Sequence, residues 1–182
     1  MRCKHCKTKF EPKYFLQKFC LKTDECIKAY VEFMKTKKKK AWKKEKQERR
    51  EALKTKSDYW KECQTAFNAF IKLRDKDKPC ISCGTTKQNI KYDAGHFHSI
   101  GAYPNIRIHE DNCHKQCSNN CNVHLSGNLL AYRENLIKRI GQERFDELER
   151  VKNIPLNYTI EDIKEKTKHY RKLVRELKKN IA

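Results

Sequence analysis

The apolar positions of this chain follow helical spacing along most of its length and lose it only in a central stretch crowded with Cys, His and Asn. In SDYWKECQTAFNAFIKLRDKDKPC, the residues Trp60, Cys63, Phe67, Phe70, Ile71 and Arg74 keep the helical period from Ser57 onward and define one apolar face. That stripe predicts core, with Cys63 as a small buried hydrophobe, and Pro79 is expected to end the helix just before Cys80. Further on, NLLAYRENLIKRIGQERFDELERV reads as two amphipathic helices hinged near Gly141. A loop and a last basic helix follow, and Thr159 with Asp162 three residues on forms a capping box at its start. Ahead of all these, YVEFMKTKKKKAWKKEKQERREALKTKS holds strong helix formers and neither Gly nor Pro, so it predicts a long solvated helix.

Charge changes the meaning of that first helix. Twelve Lys or Arg lie between Lys35 and Lys56 against three Glu, and residues 1–56 carry twenty bases and seven acids, thirteen of the net +20. Such an excess makes a polyanion the natural partner, with nucleic acid first. The run Lys37, Lys38, Lys39, Lys40, Lys43 and Lys44 then reads as a phosphate-tracking arm whose binding weakens steeply with salt, the alternative being a solvated spacer. A membrane is not expected, because no apolar run is long enough to span one and no signal-peptide pattern opens the chain. The chain reads as cytoplasmic, with a modest core for 182 residues of which 37% are hydrophobic.

In a reducing compartment, ten cysteines point to metal rather than disulfides. Eight of them group as two sets of four: Cys3, Cys6, Cys20, Cys26 and Cys80, Cys83, Cys117, Cys121. Four thiolates at such spacing suit a tetrahedral Zn2+ site, and the first set lies in a segment too short to fold on a core of its own. His5, between Cys3 and Cys6, is expected to be a loop residue. In the second set the downstream pair is C-x3-C and Cys113 lies four residues ahead of Cys117, so the third and fourth ligands stay open. Cys63 and Cys113 are left over.

Between the halves of the second quartet lie His96, His98, His109, Asn112 and His114, and just beyond it Asn122 and His124. A structural zinc finger does not need that density of imidazole and amide groups. In this order the residues resemble the HNH, or ββα-metal, nucleases, in which zinc knuckles brace a hairpin and a helix around one catalytic divalent ion. The resemblance is carried by His96 of DAGHF, by Asn112 five residues before Cys117, and by Asn122 directly after Cys121. It implies that His96 is the general base, that Asn112 steadies the hairpin or the base, and that Asn122 occupies the final metal-ligand position. The position before the base is a metal-binding Asp or His in that family and is Gly95 here. Asp93 is expected to reach in through a bulge at Ala94–Gly95, with His98 on the strand face of His96 as the alternative. His124 competes with Asn122: position favours Asn122, ligand chemistry favours His124, and on a helix the two point about 200 degrees apart. Phosphodiester hydrolysis needs a neutral imidazole to take a proton from water and a hard cation, Mg2+ or Mn2+, to stabilise charge on the phosphate and the leaving oxygen.

The runs FNAFIKLRDKDKPCISCG, DAGHF, QCSNNCNVHLSGN and YRENLIKRIG together look like the NinG family of lambdoid phages, also called Rap, over the chain from about Cys3 to Glu149. The resemblance implies a recombination protein of the host cytoplasm that binds branched DNA, such as Holliday junctions and D-loops, and cuts it structure-selectively. The expected fold is α+β and mainly helical, with an N-terminal zinc knuckle, a long basic helix, a central zinc-braced ββα-metal module and C-terminal helices. Its divisions are a four-cysteine zinc-binding unit over 1–30, a basic helical arm over 31–56, an HNH-like nuclease module with flanking helices over 57–150, and a C-terminal basic helix over 151–182. The extra residue between Cys117 and Cys121 departs from the C-x2-C of that family and leaves the zinc geometry open. Symmetric cutting of a junction would be easiest for a homodimer, and other recombination proteins are natural partners. Two other readings remain: a zinc-dependent accessory protein whose HNH-like module no longer cuts, kept open by Gly95, and an RNA-binding or transcription-regulating zinc protein, supported only by charge and cysteine count.

Overall fold

In a computed structural model that describes residues 1–180, the chain divides into two units, Met1–Lys54 and the segment from Thr55 onward. The final two residues of the expected C-terminal segment lie outside the described chain. The first unit builds a small core from Cys3, Phe10, Phe19 and Cys26. Helix α1, Asp24–Ala52, closes over it by placing Tyr30 and Phe33 against Phe19, with ring centroids 5.8 and 5.5 Å away. Thr23 caps α1 by accepting from the Cys26 backbone N–H, and Asp24 and Glu25 meet the positive end of its dipole. The basic helix therefore starts inside the cysteine segment, with Cys26 on its first turn. From Met34 to Ala52 every residue is exposed. That length rests on helix propensity and on exposed pairs such as Lys44–Glu48 and Glu45–Arg49, each contributing roughly 0.3–0.5 kcal/mol.

The second unit runs α2 (Lys56–Arg74), β1 (Tyr92–His96), β2 (Cys113–Cys117), a π-helical turn (Ser118–His124), α3 (Leu129–Ile140), α4 (Gln142–Val151) and α5 (Ile160–Lys179). A capping box between Thr55 and Asp58 opens α2, which buries Tyr59, Cys63, Ala66, Phe67, Phe70 and Ile71. Ile163 and Tyr170 of α5 join this cluster, as do Ile108 and Cys113. Trp60 lies only half-buried at its edge. The helix does not run on to Pro79 but stops at Arg74. Asp75 is the reason: its buried carboxylate accepts from Arg74 and Lys78 at 2.9 Å and from the Lys115 backbone N–H at 3.2 Å, and lies 3.3 Å from His114 Nδ1. A residue bound to β2 in this way turns the chain out of the helix.

Strands β1 and β2 pair antiparallel in unbroken register, from Tyr92 opposite Cys117 to His96 opposite Cys113. The bulge expected at Ala94–Gly95 does not occur. Gly95 instead makes room for the Gln116 side chain, whose own Cβ would lie 2.9 Å from a Cβ at that position and whose Oε1 would overlap it. Helices α3 and α4 meet at Gly141, whose φ of +86° favours glycine, and form a second cluster of Ile81, Ile106, Tyr132, Leu136, Phe145 and Leu148. The Tyr132 hydroxyl donates to the Gly95 carbonyl at 2.9 Å and ties this cluster to the hairpin. The capping box at Thr159 and Asp162 is present on α5. No helix among the described residues is long and apolar enough to cross a membrane.

Candidate metal centres and the hairpin site

The two cysteine quartets each converge. Cys3, Cys6, Cys20 and Cys26, and likewise Cys80, Cys83, Cys117 and Cys121, bring their sulfurs within 4.8 Å of one another. Sulfurs about 2.3 Å from one tetrahedral ion lie roughly 3.8 Å apart. The separations of 3.9 Å for Cys3–Cys26, 3.7 Å for Cys6–Cys20 and 3.8 Å for Cys83–Cys117 fit that geometry. Backbone N–H groups also point at the sulfurs, Cys20 to Cys3 at 3.4 Å, Cys117 to Cys80 at 3.3 Å and Cys121 to Cys117 at 3.4 Å, which favours thiolates. Both quartets could therefore hold a structural metal ion. The C-x3-C spacing is absorbed by the π-helical turn, whose wider winding accommodates the extra residue and still returns Cys121 to the site. Cys113 stays out, packed in the α2 cluster with its thiol pushed up by burial.

Beside the second quartet, at the start of β1, the Asp93 carboxylate accepts from the Ser118 hydroxyl at 2.5 Å and from Asn122 Nδ2 at 3.4 Å, with Lys72 Nζ 3.4 Å away. Burial opposes its ionisation, but the Ser118 hydroxyl and the Lys72 ammonium hold the carboxyl below its ordinary value. Asp93 and Asn122 are thus brought together, whereas His98 and His124 lie apart from them. His98 Nε2 sits 2.5 Å from Glu149 Oε1 on α4. His124 is exposed at the end of the π-helical turn.

His96 and Asp93, three residues apart on an unbroken strand, face opposite sides and are separated by about 10 Å of backbone. His96 Nε2 is 2.9 Å from the Arg107 carbonyl, and its Nδ1 edge rests 3.7 Å from the Cys113 sulfur. Because a carbonyl only accepts, Nε2 carries the proton and Nδ1 the lone pair. Burial holds this imidazole below its ordinary pKa, outweighing the carbonyl that favours the charged form, so it is neutral at neutral pH. Asn112 is fully buried and closes the loop between the strands: its Oδ1 accepts from the His98 N–H at 2.8 Å, and its Nδ2 donates to the carbonyls of His98 at 3.0 Å and Ile106 at 3.3 Å.

Residue pattern alone does not single out Lys72 and Ser118 around Asp93, nor the Arg107 carbonyl on His96. Ser118 could have been noticed as the residue following Cys117, but a backbone carbonyl leaves no signal in side-chain pattern. Lys37, Lys38, Lys39, Lys40, Lys43 and Lys44 are all exposed on α1, and only Lys44 of these makes an ion pair among the described residues.

Compared with known proteins, residues 1–180 match the family described as Bacteriophage Lambda NinG protein. The chain belongs to the NinG family. It is 47% identical over 130 residues to Protein ninG of Escherichia phage lambda, covering 71% of this chain and 62% of that one. It is 48% identical over 126 residues to Protein ninG of Escherichia phage 933W, covering 69% and 61%. With Protein ninG of Salmonella phage P22 it shares 52% over 101 residues, covering 56% and 49%. The NinG relatives from phages lambda and 933W are thus matched over about three fifths of their length. No solved structure matches the chain.

Proposed function

We propose that this NinG family chain is a metal-dependent DNA endonuclease of HNH type that cuts branched recombination intermediates, such as Holliday junctions and D-loops, in the host cytoplasm. The observation that carries the reading is the convergence of Asp93 and Asn122 beside a cysteine quartet on the hairpin. His96 lies on the opposite face of the same strand, so the reading requires the hairpin to rearrange on DNA before both act on one phosphate. Zn2+ fits both quartets as a structural ion. Asp93, Asn122 and the Ser118 hydroxyl offer hard oxygen donors, which suit Mg2+ or Mn2+. That ion, when bound, supplies charge stabilisation on the phosphate and leaving oxygen. His96 would take the proton from water through Nδ1, the nitrogen the Arg107 carbonyl leaves unprotonated, once water replaces the Cys113 thiol beside it. Asn112 holds the loop that carries both His98 and Arg107's neighbour Ile106. Branched DNA as substrate follows from the family resemblance, and a homodimer would place two such sites on one junction.

A second reading, a zinc-dependent branched-DNA-binding accessory protein without cutting, is favoured by the Gln116 side chain over Gly95, by the Lys72–Asp93 pair and by the Glu149 partner of His98. The two separate on cleavage of a labelled four-way junction and its matching linear duplex, in EDTA, Mg2+ or Mn2+. Cutting of the junction by wild type and not by His96→Ala, with both proteins binding it, is the expected result. Tight binding without cutting in any divalent metal would establish the accessory protein instead.

A further inference from the structure

A cleft of about 420 Å³ opens on the second unit, within the range of roughly 300–1,000 Å³ of small-ligand sites. It is lined by three aromatic rings, Trp60, Tyr103 and Tyr158, and two cations, Arg107 and Lys152, with no acidic residue in the lining. The rings come from three separate segments. Tyr158 meets Trp60 edge-on at 5.2 Å, and the Arg107 guanidinium lies 4.6 Å over the Trp60 ring. Lys152 Nζ sits 5.5 Å from the Tyr103 centroid. One wall is fixed by Asn105, whose Nδ2 shares its two protons among the carbonyls of Lys152 at 2.5 Å, Ile154 at 2.8 Å and Val151 at 3.2 Å.

Arg107 is the residue that a purely structural role leaves unexplained. Its guanidinium is half-buried, makes no ion pair among the described residues, and has Gln64 Oε1 at 3.4 Å as its polar partner. A cation partly withdrawn from water without a carboxylate suits an anion that arrives from outside. The flat surfaces around it add a second requirement, a planar ring. A nucleotide combines the two, because aromatic and guanidinium planes stack any base and a cation meets its phosphate. A paired duplex hides its base faces inside the stack, so the fit is to an unpaired nucleotide.

We propose that this cleft takes one unpaired nucleotide of a DNA strand, its base stacking between Tyr103 and the Arg107–Trp60 pair and its phosphate meeting Arg107. Lys152 stays paired with Glu149, 2.5 Å away, and contributes at longer range. The proposal rests on the reading that DNA is the partner, and it supplies a reason for preferring branch points, where unpaired bases occur. Arg107 also links the cleft to the hairpin, since its carbonyl holds His96.

The test compares a short labelled oligothymidine with a blunt duplex of the same length by fluorescence anisotropy, for wild type, Tyr103→Ala and Arg107→Gln. Each variant is expected to lose about tenfold in affinity for oligothymidine, the lower range for one base stack, and to keep its duplex affinity. Parallel loss on both DNAs, or no loss on either, overturns the proposal. A wild type that binds duplex but not oligothymidine sinks the cleft alone, whereas one that binds neither sinks the endonuclease reading with it. Tyr103 also packs against the α3–α4 cluster, so a second readout avoids its substitution. Trp42→Phe leaves Trp60 as the only one of the two tryptophans. Its emission should then be quenched saturably by oligothymidine and not by the duplex; unchanged emission at saturation overturns the proposal.

Discussion

A methyl group at Gly95 would overlap Gln116 Oε1 and meet Gln116 Cβ at 2.9 Å. Gln116 cannot easily yield, because it is fully buried and its Nε2 donates to Ser82 Oγ and the Gly127 carbonyl, each at 2.6 Å. Gly95→Ala is therefore expected to cost about 1–3 kcal/mol in a denaturant titration, and less in a Gln116→Ala background. An equal cost in both backgrounds would show that the glycine is needed for something else. Opposite Gly95 on β2 stands His114, whose imidazole is held below its ordinary pKa of 6.5 by burial. Burial pushes the other way on Asp75, but hydrogen bonds from His114, Arg74 and Lys78 hold its carboxyl well below the usual carboxylate range. As pH falls through 6.5 the unfolded chain protonates His114 and the folded chain does not, so stability declines from that point downward. Asp75 adds a further loss below its ordinary value of 3.8, where its carboxyl protonates only when unfolded. Unfolding measured between pH 7 and 5 in excess zinc should show the first decline, and His114→Asn, which keeps a donor for Asp75 but does not titrate, should lessen it and leave the share of His96, whose imidazole burial also holds below 6.5. An unchanged slope would place the acid sensitivity elsewhere.

Each unit carries one quartet and its own apolar cluster, so metal loss should act locally. Cys80→Ser is expected to lower zinc content from two ions per chain to one, measured by colorimetric release, and to unfold the second unit while the first keeps its structure. Two zinc ions retained in that variant would remove Cys80 from the site. At this scale the sequence was legible wherever the signal is local. The α2 stripe, the capping box at Thr159, the hinge at Gly141 and both quartets rest on spacing within a few turns or on cysteine itself. What could not be read depends on distant partners: α2 stops at Arg74 because Asp75 meets His114 and the Lys115 backbone, and β1 pairs without a bulge, with Gly95 leaving room for Gln116. The π-helical turn that settles Cys121 over Cys113 is a backbone choice that no residue type announces. Trp60 looked like part of a core stripe, and only the fold brings Tyr103 and Tyr158 beside it. The candidate hairpin site was legible in its residue types and not in their directions, since His96 and Asp93 turn to opposite sides of one strand.

Over the whole molecule, charge is concentrated where there is no core to support. Residues 34–52 of α1 are exposed throughout, and of the six lysines from Lys37 to Lys44 five lack an ion pair among the described residues. A helix with cations spread along an exposed length can follow a phosphate backbone, and phosphates are alike in duplex, junction and single strand. Replacing Lys37, Lys38, Lys39, Lys40, Lys43 and Lys44 with Gln should therefore weaken all three substrates by similar factors. If all six lysines neutralise phosphates, the slope of log affinity against log salt on duplex DNA should flatten by up to about 5. The ratio of junction to duplex binding should stay where it was if discrimination belongs, as proposed, to the hairpin and the aromatic cleft of the second unit. A salt slope that does not change would make the arm a spacer and move the phosphate contacts to the second unit, whereas a changed ratio would give α1 a share in recognising the branch.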